Sequence, residues 1–165
     1  MANMKLQAFM KIAAALNEEG ITPLLMGSVG LEVVTKRDWQ ADDLDIHVPG
    51  DAHGWAIDAS ENINDWEKIV NVMRRLNYEL VDLHEHQFSN GQLSVGFGII
   101  DTLPHFAGIN LSEIALQQVG DVRFYLPNAQ QYLKIYEASS KDSYRANKNN
   151  AKDDAKVQYL KQLET

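Results

Sequence analysis

The chain has 165 residues, with 15 lysines and arginines against 23 aspartates and glutamates, a formal net charge of −8 and no cysteine. That length suits one well-buried domain over residues 1–165, and the acidic balance excludes a broad basic surface for nucleic acid. Without cysteine there are no disulfides, thiolate zinc sites or cysteine nucleophiles.

From Lys5 to Asn17, apolar residues recur at Leu6, Phe9, Met10, Ala13 and Leu16, the spacing of one helical face, and Gly20 supplies a stop. This start is an amphipathic helix and not a secretion signal. Ile21–Met26 reads as the first strand, with Pro23 near its beginning, where a missing N–H is tolerated. Gly27 and Ser28 turn the chain into a short helix carrying Leu31, Val33 and Val34, and a polar loop over 35–42 leads to a strand from Asp43. Pro49 to Gly54 is dense in turn residues and opens a loop to about Asn62, long enough to be functional. Asn64 or Asp65 caps a helix through Leu76 whose apolar face holds Trp66, Ile69, Val70 and Met73. Tyr78–Phe88 and Gln92–Ile100 read as a hairpin turned by Ser89-Asn90-Gly91, and Val122–Leu126 as a further strand.

A helical tail begins near residue 128. Tyr132, Leu133, Ile135 and Tyr136 form one stripe, Val157, Leu160 and Leu163 another, and 141–150 is a polar turn or helix extension between them. No segment approaches the roughly 20 apolar residues that span a bilayer, so a cytoplasmic protein without membrane contact is expected. The order of elements predicts an α+β fold, a mixed and mainly antiparallel sheet flanked by helices, with a helical C-terminal section.

The chemistry concentrates in Leu24-Leu25-Met26-Gly27-Ser28-Val29-Gly30 and Asp43-Leu44-Asp45-Ile46-His47-Val48. Strand side chains alternate, so Asp43 and Asp45 share a face, opposite Leu44, Ile46 and Val48. Adjacent carboxylates repel unless a cation lies between them, which points to an oxygen-preferring divalent ion such as Mg²⁺. A small-residue turn beside them can seat phosphates on backbone N–H groups. The bland alternative is an edge strand whose polar face meets water.

Strand, Gly-Ser, helix, then Asp-apolar-Asp-apolar resembles the signature of the nucleotidyltransferase superfamily, the polymerase-beta-like fold shared with small antibiotic-modifying enzymes. The resemblance implies Asp43, Asp45 and a third acid, Asp101, holding two Mg²⁺ ions, with Asp82 the fallback for the third position. It implies that Gly27 and Ser28 receive phosphates while Lys36 or Arg37 neutralises the leaving pyrophosphate. The expected reaction is transfer of a nucleoside monophosphate from an NTP to an acceptor hydroxyl, on a small alcohol, a protein side chain or a tRNA end. A second reading is a catalytically degenerate relative that binds a nucleotide or a partner protein, and a third is an interaction module with a chance motif. The second gains if Asp101 lies away from Asp43 and Asp45 with Asp82 no nearer.

Other residues carry weaker signals. Asp82, His84 and His86 would share a strand face and could hold a transition metal, though a solvated face is the commoner outcome. His47 lies on the Asp43 and Asp45 face. Trp39 and Trp55 bracket the acidic strand and could stack on a base, whereas Trp66 belongs to the core. Lys134, Arg145 and Lys152-Asp153-Asp154 loosely resemble the tail of the toxin-associated branch of the superfamily, where a lysine and a Lys-Asp pair follow the sheet.

Overall fold

The computed structural model describes residues 4–141 and 143–163, with side chains left out over 142–152. The elements, in order, are α1 (Met4–Glu18), β1 (Leu24–Met26), α2 (Gly27–Thr35), β2 (Leu44–Val48), α3 (Trp66–Arg75), β3 (Glu79–Asp82), β4 (Gln87–Ser89), β5 (Ser94–Ile99), α4 (Leu103–Ala107), β6 (Ala115–Val119), β7 (Val122–Leu126), α5 (Ala129–Lys141) and α6 (Ser143–Leu163). The strands form one open sheet in the order β3-β4-β5-β2-β1-β7-β6. Its β1–β2, β3–β4, β4–β5 and β6–β7 pairs are antiparallel, and β1–β7 and β2–β5 are parallel. This is the expected mixed, mainly antiparallel α+β arrangement. β2 lies at its centre, so its polar face is not that of an edge strand.

Alternation assigns the two faces. Leu44, Ile46 and Val48 of β2 and Val95, Phe97 and Ile99 of β5 are buried. They pack with Phe9, Ile12 and Leu16 of α1 and Ile69 and Met73 of α3. On the opposite face, Leu24 and Met26 of β1 pack with Tyr132, Leu133 and Tyr136 of α5 and Val157 and Leu160 of α6. Trp66 is buried in the first cluster, as expected. Asp45 and His47 pair directly with Met26 and Leu24 across the antiparallel β1–β2 ladder. They therefore share the α5–α6 face of the sheet.

Two differences from the sequence reading bear on the site. The segment 78–88 is not one strand: it breaks after Asp82, whose carboxylate accepts the Glu85 N–H at 3.2 Å, and resumes after His86, held at φ 51°. Strands β3, β4 and β5 thus form a meander, and Asp82, His84 and His86 do not line one strand face. Strand β6 was not expected; its Ala-Leu-Gln-Gln-Val sequence is mostly exposed and has no apolar alternation to reveal it.

Candidate functional site

Strand β1 passes into α2 with no intervening residue, and Gly27 makes the turn at φ 68°. A Cβ at this position would lie 2.9 Å from the Asp45 Cβ. Glycine is needed twice over, for its left-handed backbone and for the close approach of the turn to the acidic strand. The next glycine of the helix, Gly30, makes room for Tyr132, whose hydroxyl donates to the Leu25 carbonyl at 2.8 Å and would overlap a Cβ at Gly30. Complete burial pushes the Tyr132 phenol well above its ordinary range, and Tyr136 and the Asp45 charge push the same way.

Asp45 and His47 stand side by side, His47 Nε2 being 3.5 Å from Asp45 Oδ1, and Asp43 lies exposed one residue before β2. Across the parallel ladder, Asp45 faces Gly96 and His47 faces Gly98. The His47 ring covers Gly98 and would overlap a Cβ there, whereas a Cβ at Gly96 would meet nothing within 4 Å. Beside the acids, β5 thus presents glycine.

The two candidates for a third acid are elsewhere. The β2–β5 register pairs Val48 with Ile99, and Asp101 then falls level with Gly50, whose N–H its Oδ1 accepts at 2.9 Å. That level lies beyond the end of β2 at Val48, five residues along the chain from Asp45. Asp101 ties down the start of the loop after β2. Asp82 sits on the edge strand β3, three strand spacings from β2, about 14 Å. Among the described residues there is no group of three His, Asp or Glu side chains placed to hold a metal ion.

The expected phosphate cations are also displaced. Lys36 caps the C-terminal end of α2, about 12 Å of helix away from Ser28. The Arg37 guanidinium stacks 4.5 Å from the Trp39 ring centre and 4.7 Å from that of Tyr159, fastening the 36–42 loop to α6. Trp39 is therefore occupied: its backbone N–H donates to Glu32 Oε2 at 2.7 Å and its indole N–H to Thr35 Oγ1 at 3.1 Å. Trp55 stacks on His84 and His86 over the loop after β2, at the far end of that strand from Asp43. Lys134 lines a groove of about 500 Å³ between α4 and α5, with Phe106 and Glu137. Arg145 and Lys152 lie outside the described side chains.

A cation that sequence reasoning passed over does reach the turn. Lys156, on α6 and 8% exposed, donates from Nζ to Ser28 Oγ at 2.8 Å and lies 4.8 Å over the Tyr136 ring. Nearby on α6, buried Asp153 accepts the Ser139 hydroxyl at 3.1 Å. The only sequence signal for Lys156 was its place beside Val157 and Leu160, a lysine on the flank of an apolar stripe.

No protein-family model matches the chain. The uncharacterized protein YnaI of Bacillus subtilis (strain 168) is 38% identical over 156 residues, covering 94% of each chain. Among solved structures, an antigenic nucleotidyltransferase-like protein from Paracoccidioides brasiliensis is similar at 13% identity with a TM-score of 0.59, over 99% of this chain and 78% of that one. The antibiotic-resistance factor ANT(2'')-Ia, in a crystal structure with adenylyl-2''-tobramycin, is similar at 11% identity with a TM-score of 0.54, over 99% of this chain and 100% of that one. Its solution structure gives a TM-score of 0.52 at 11% identity, over 99% and 95%.

Proposed function

Since the chain belongs to the family of the uncharacterized Bacillus subtilis protein YnaI and has the nucleotidyltransferase fold, we propose that it binds a nucleoside triphosphate at the Gly27–Ser28 turn. The observation that carries this reading is the contact of Gly27 with Asp45, which sets the N–H groups opening α2 beside a carboxylate. Two acids without a third suit Mg²⁺, which characteristically takes one or two carboxylates and completes its shell with phosphate oxygens and water. Asp43 and Asp45 would hold one such ion, and bound there it would offset the charge of the phosphates. The second ion expected from the sequence depended on Asp101, which instead holds Gly50. Activation of an acceptor hydroxyl by a third carboxylate is accordingly left out of the proposed chemistry.

The second reading is full nucleotidyl transfer to an acceptor hydroxyl. It is favoured by the fold and by the presence of Asp43 and Asp45, and ANT(2'')-Ia, crystallised with adenylyl-2''-tobramycin, gives an instance of an acceptor on this fold. Calorimetric titration with ATP and Mg²⁺ tests the first reading. Wild type should bind, Asp45→Asn should lose at least tenfold in affinity through its missing charge, and Asp101→Ala should keep its affinity while losing about 1–2 kcal/mol of stability with the Gly50 bond. Equal affinity in wild type and Asp45→Asn would sink the assignment. Release of pyrophosphate from ATP, with label moved to any of a panel of small alcohols, proteins or tRNA, would move the conclusion to the second reading.

A further inference from the structure

We propose that the free edge of β6 pairs with the β6 edge of a second copy of this chain, antiparallel and about a twofold axis, joining two seven-stranded sheets into one. The two edges of the sheet, β3 and β6, are built differently. Strand β3 carries an acid at each end, Glu79 and Asp82, and its register on β4 shifts between Leu80 and Asp82. Charge and irregularity are the usual guards of an exposed edge. Strand β6 has neither: Ile114 to Gly120 contains no charged residue and no proline, and the pairs with β7, from Ala115–Leu126 to Val119–Val122, follow one unbroken register. Four of the five β6 residues are exposed, with Leu116 at 43% and Val119 at 56%, so no described element covers this edge. Its outward N–H and C=O groups are left to water.

Charge selects the occupant. Two chains of net charge −8 repel, and they approach most easily where each presents an uncharged segment. The β6 edge is such a segment, whereas two copies of β3 would bring acids against acids. Antiparallel pairing is also self-complementary, because a twofold axis turns the outward donors of one strand onto the acceptors of the other. Centring the axis on Gln117 is the arrangement that uses the whole of β6. It sets Gln117 opposite its own counterpart, Leu116 opposite Gln118 of the second copy, and Val119 opposite Ala115, so that each exposed valine meets a small side chain. A strand of this length is a small part of the roughly 20–30 residues a side in a standard interface. The dimer is therefore reversible and forms with rising concentration.

The test is sedimentation velocity on the full chain over a concentration series. Wild type should pass from the 18.6 kDa monomer to twice that mass, and higher salt should favour the dimer by screening the like net charges. Gln117→Lys sets two ammonium groups against each other at the axis, and Gln117→Glu two carboxylates; each variant alone should lose on the order of tenfold in dimer affinity. Mixed in equal amounts, the two should associate again, since opposite charges then meet. A wild type that stays monomeric to millimolar concentration, a dimer indifferent to either substitution, or a mixture that stays monomeric would overturn the proposal. So would species that grow without limit, the mark of β6 meeting the β3 edge head to tail. Should the variants fail to fold, amide exchange on wild type decides: the β6 amides should slow with concentration while those of β3 do not, and the reverse would overturn the pairing.

Discussion

At the scale of single residues, Gly30 shows how context reverses a propensity. In an ordinary helix interior, glycine to alanine adds about 1 kcal/mol of stability. Here the new methyl would overlap the Tyr132 hydroxyl, which is fully buried and bonded to the Leu25 carbonyl. Gly30→Ala should therefore destabilise by about 1–3 kcal/mol, the range for overpacked interiors, as read by urea denaturation. Adding Tyr132→Phe removes the clashing oxygen, although the ring carbon that bore it would still lie 3.0 Å away. The double variant should thus be more stable than the sum of the single losses predicts, and strict additivity would argue against the contact. Nothing in the sequence pairs Gly30 with Tyr132; the glycine read only as a small residue near a turn.

At the scale of elements, legibility followed amphipathicity. Helices α1 and α3 were visible because their apolar residues repeat on one face, β2 because burial on one side of the sheet imposes alternation, and β1 because burial on both sides makes it a continuous apolar run. The Gly27 turn and the strand that carries Asp45 were legible as local patterns, whereas Asp43 lies just before β2 and not within it. Asp101 misled because a strand-end aspartate looks alike whether it faces a metal or caps a loop, and only the β2–β5 register separates the two. The turn at 83–86 was hidden by its composition, since Leu-His-Glu-His lacks the Gly, Pro or Asn that usually marks one.

That turn buries His86 beneath Trp55 and against Trp66, with Nε2 bonded to the Ala59 carbonyl at 2.7 Å. Burial lowers the His86 pKa, and neighbouring His84 adds to this. The backbone bonds to Ala59 and Phe97 and the Glu85 charge oppose it without reversing it. Between the lowered folded value and the ordinary value near 6.5, the unfolded chain binds more protons than the folded one, so stability rises with pH across that window. The contribution is complete above about pH 6.5 and is lost as pH falls towards the folded value. Urea midpoints measured from pH 5 to 7.5 should show this slope in wild type and a shallower one in His86→Gln; parallel profiles would assign the slope to other groups.

At the scale of the molecule, both apolar clusters lean on the same sheet. Leu25 and Ile46 face α1 and α3, while Leu24 and Met26, from the same three-residue strand, face α5 and α6. We propose on that basis that the chain unfolds as a single unit, since neither cluster keeps its floor when the other is lost. Scanning calorimetry should give one transition with equal calorimetric and van't Hoff enthalpies. ATP with Mg²⁺ should move that transition upward as a whole by mass action, and two transitions, one of them insensitive to nucleotide, would divide the chain into separate folding units. Among the described residues, no helix is long and apolar enough to cross a membrane.

The bond between Lys156 and Ser28 joins residues 128 positions apart in the chain. On a ribosome adding roughly 5–20 amino acids per second, the glycine turn is made on the order of ten seconds before the ammonium that meets it. For most of that interval β1 also lacks its parallel neighbour β7, which pairs at Tyr125. A nascent chain can therefore hold α1, β1 and β2 near one another before α6 exists to close on the Gly27–Ser28 turn. Contact between the Gly27–Ser28 turn and α6 is a late event in the making of this protein.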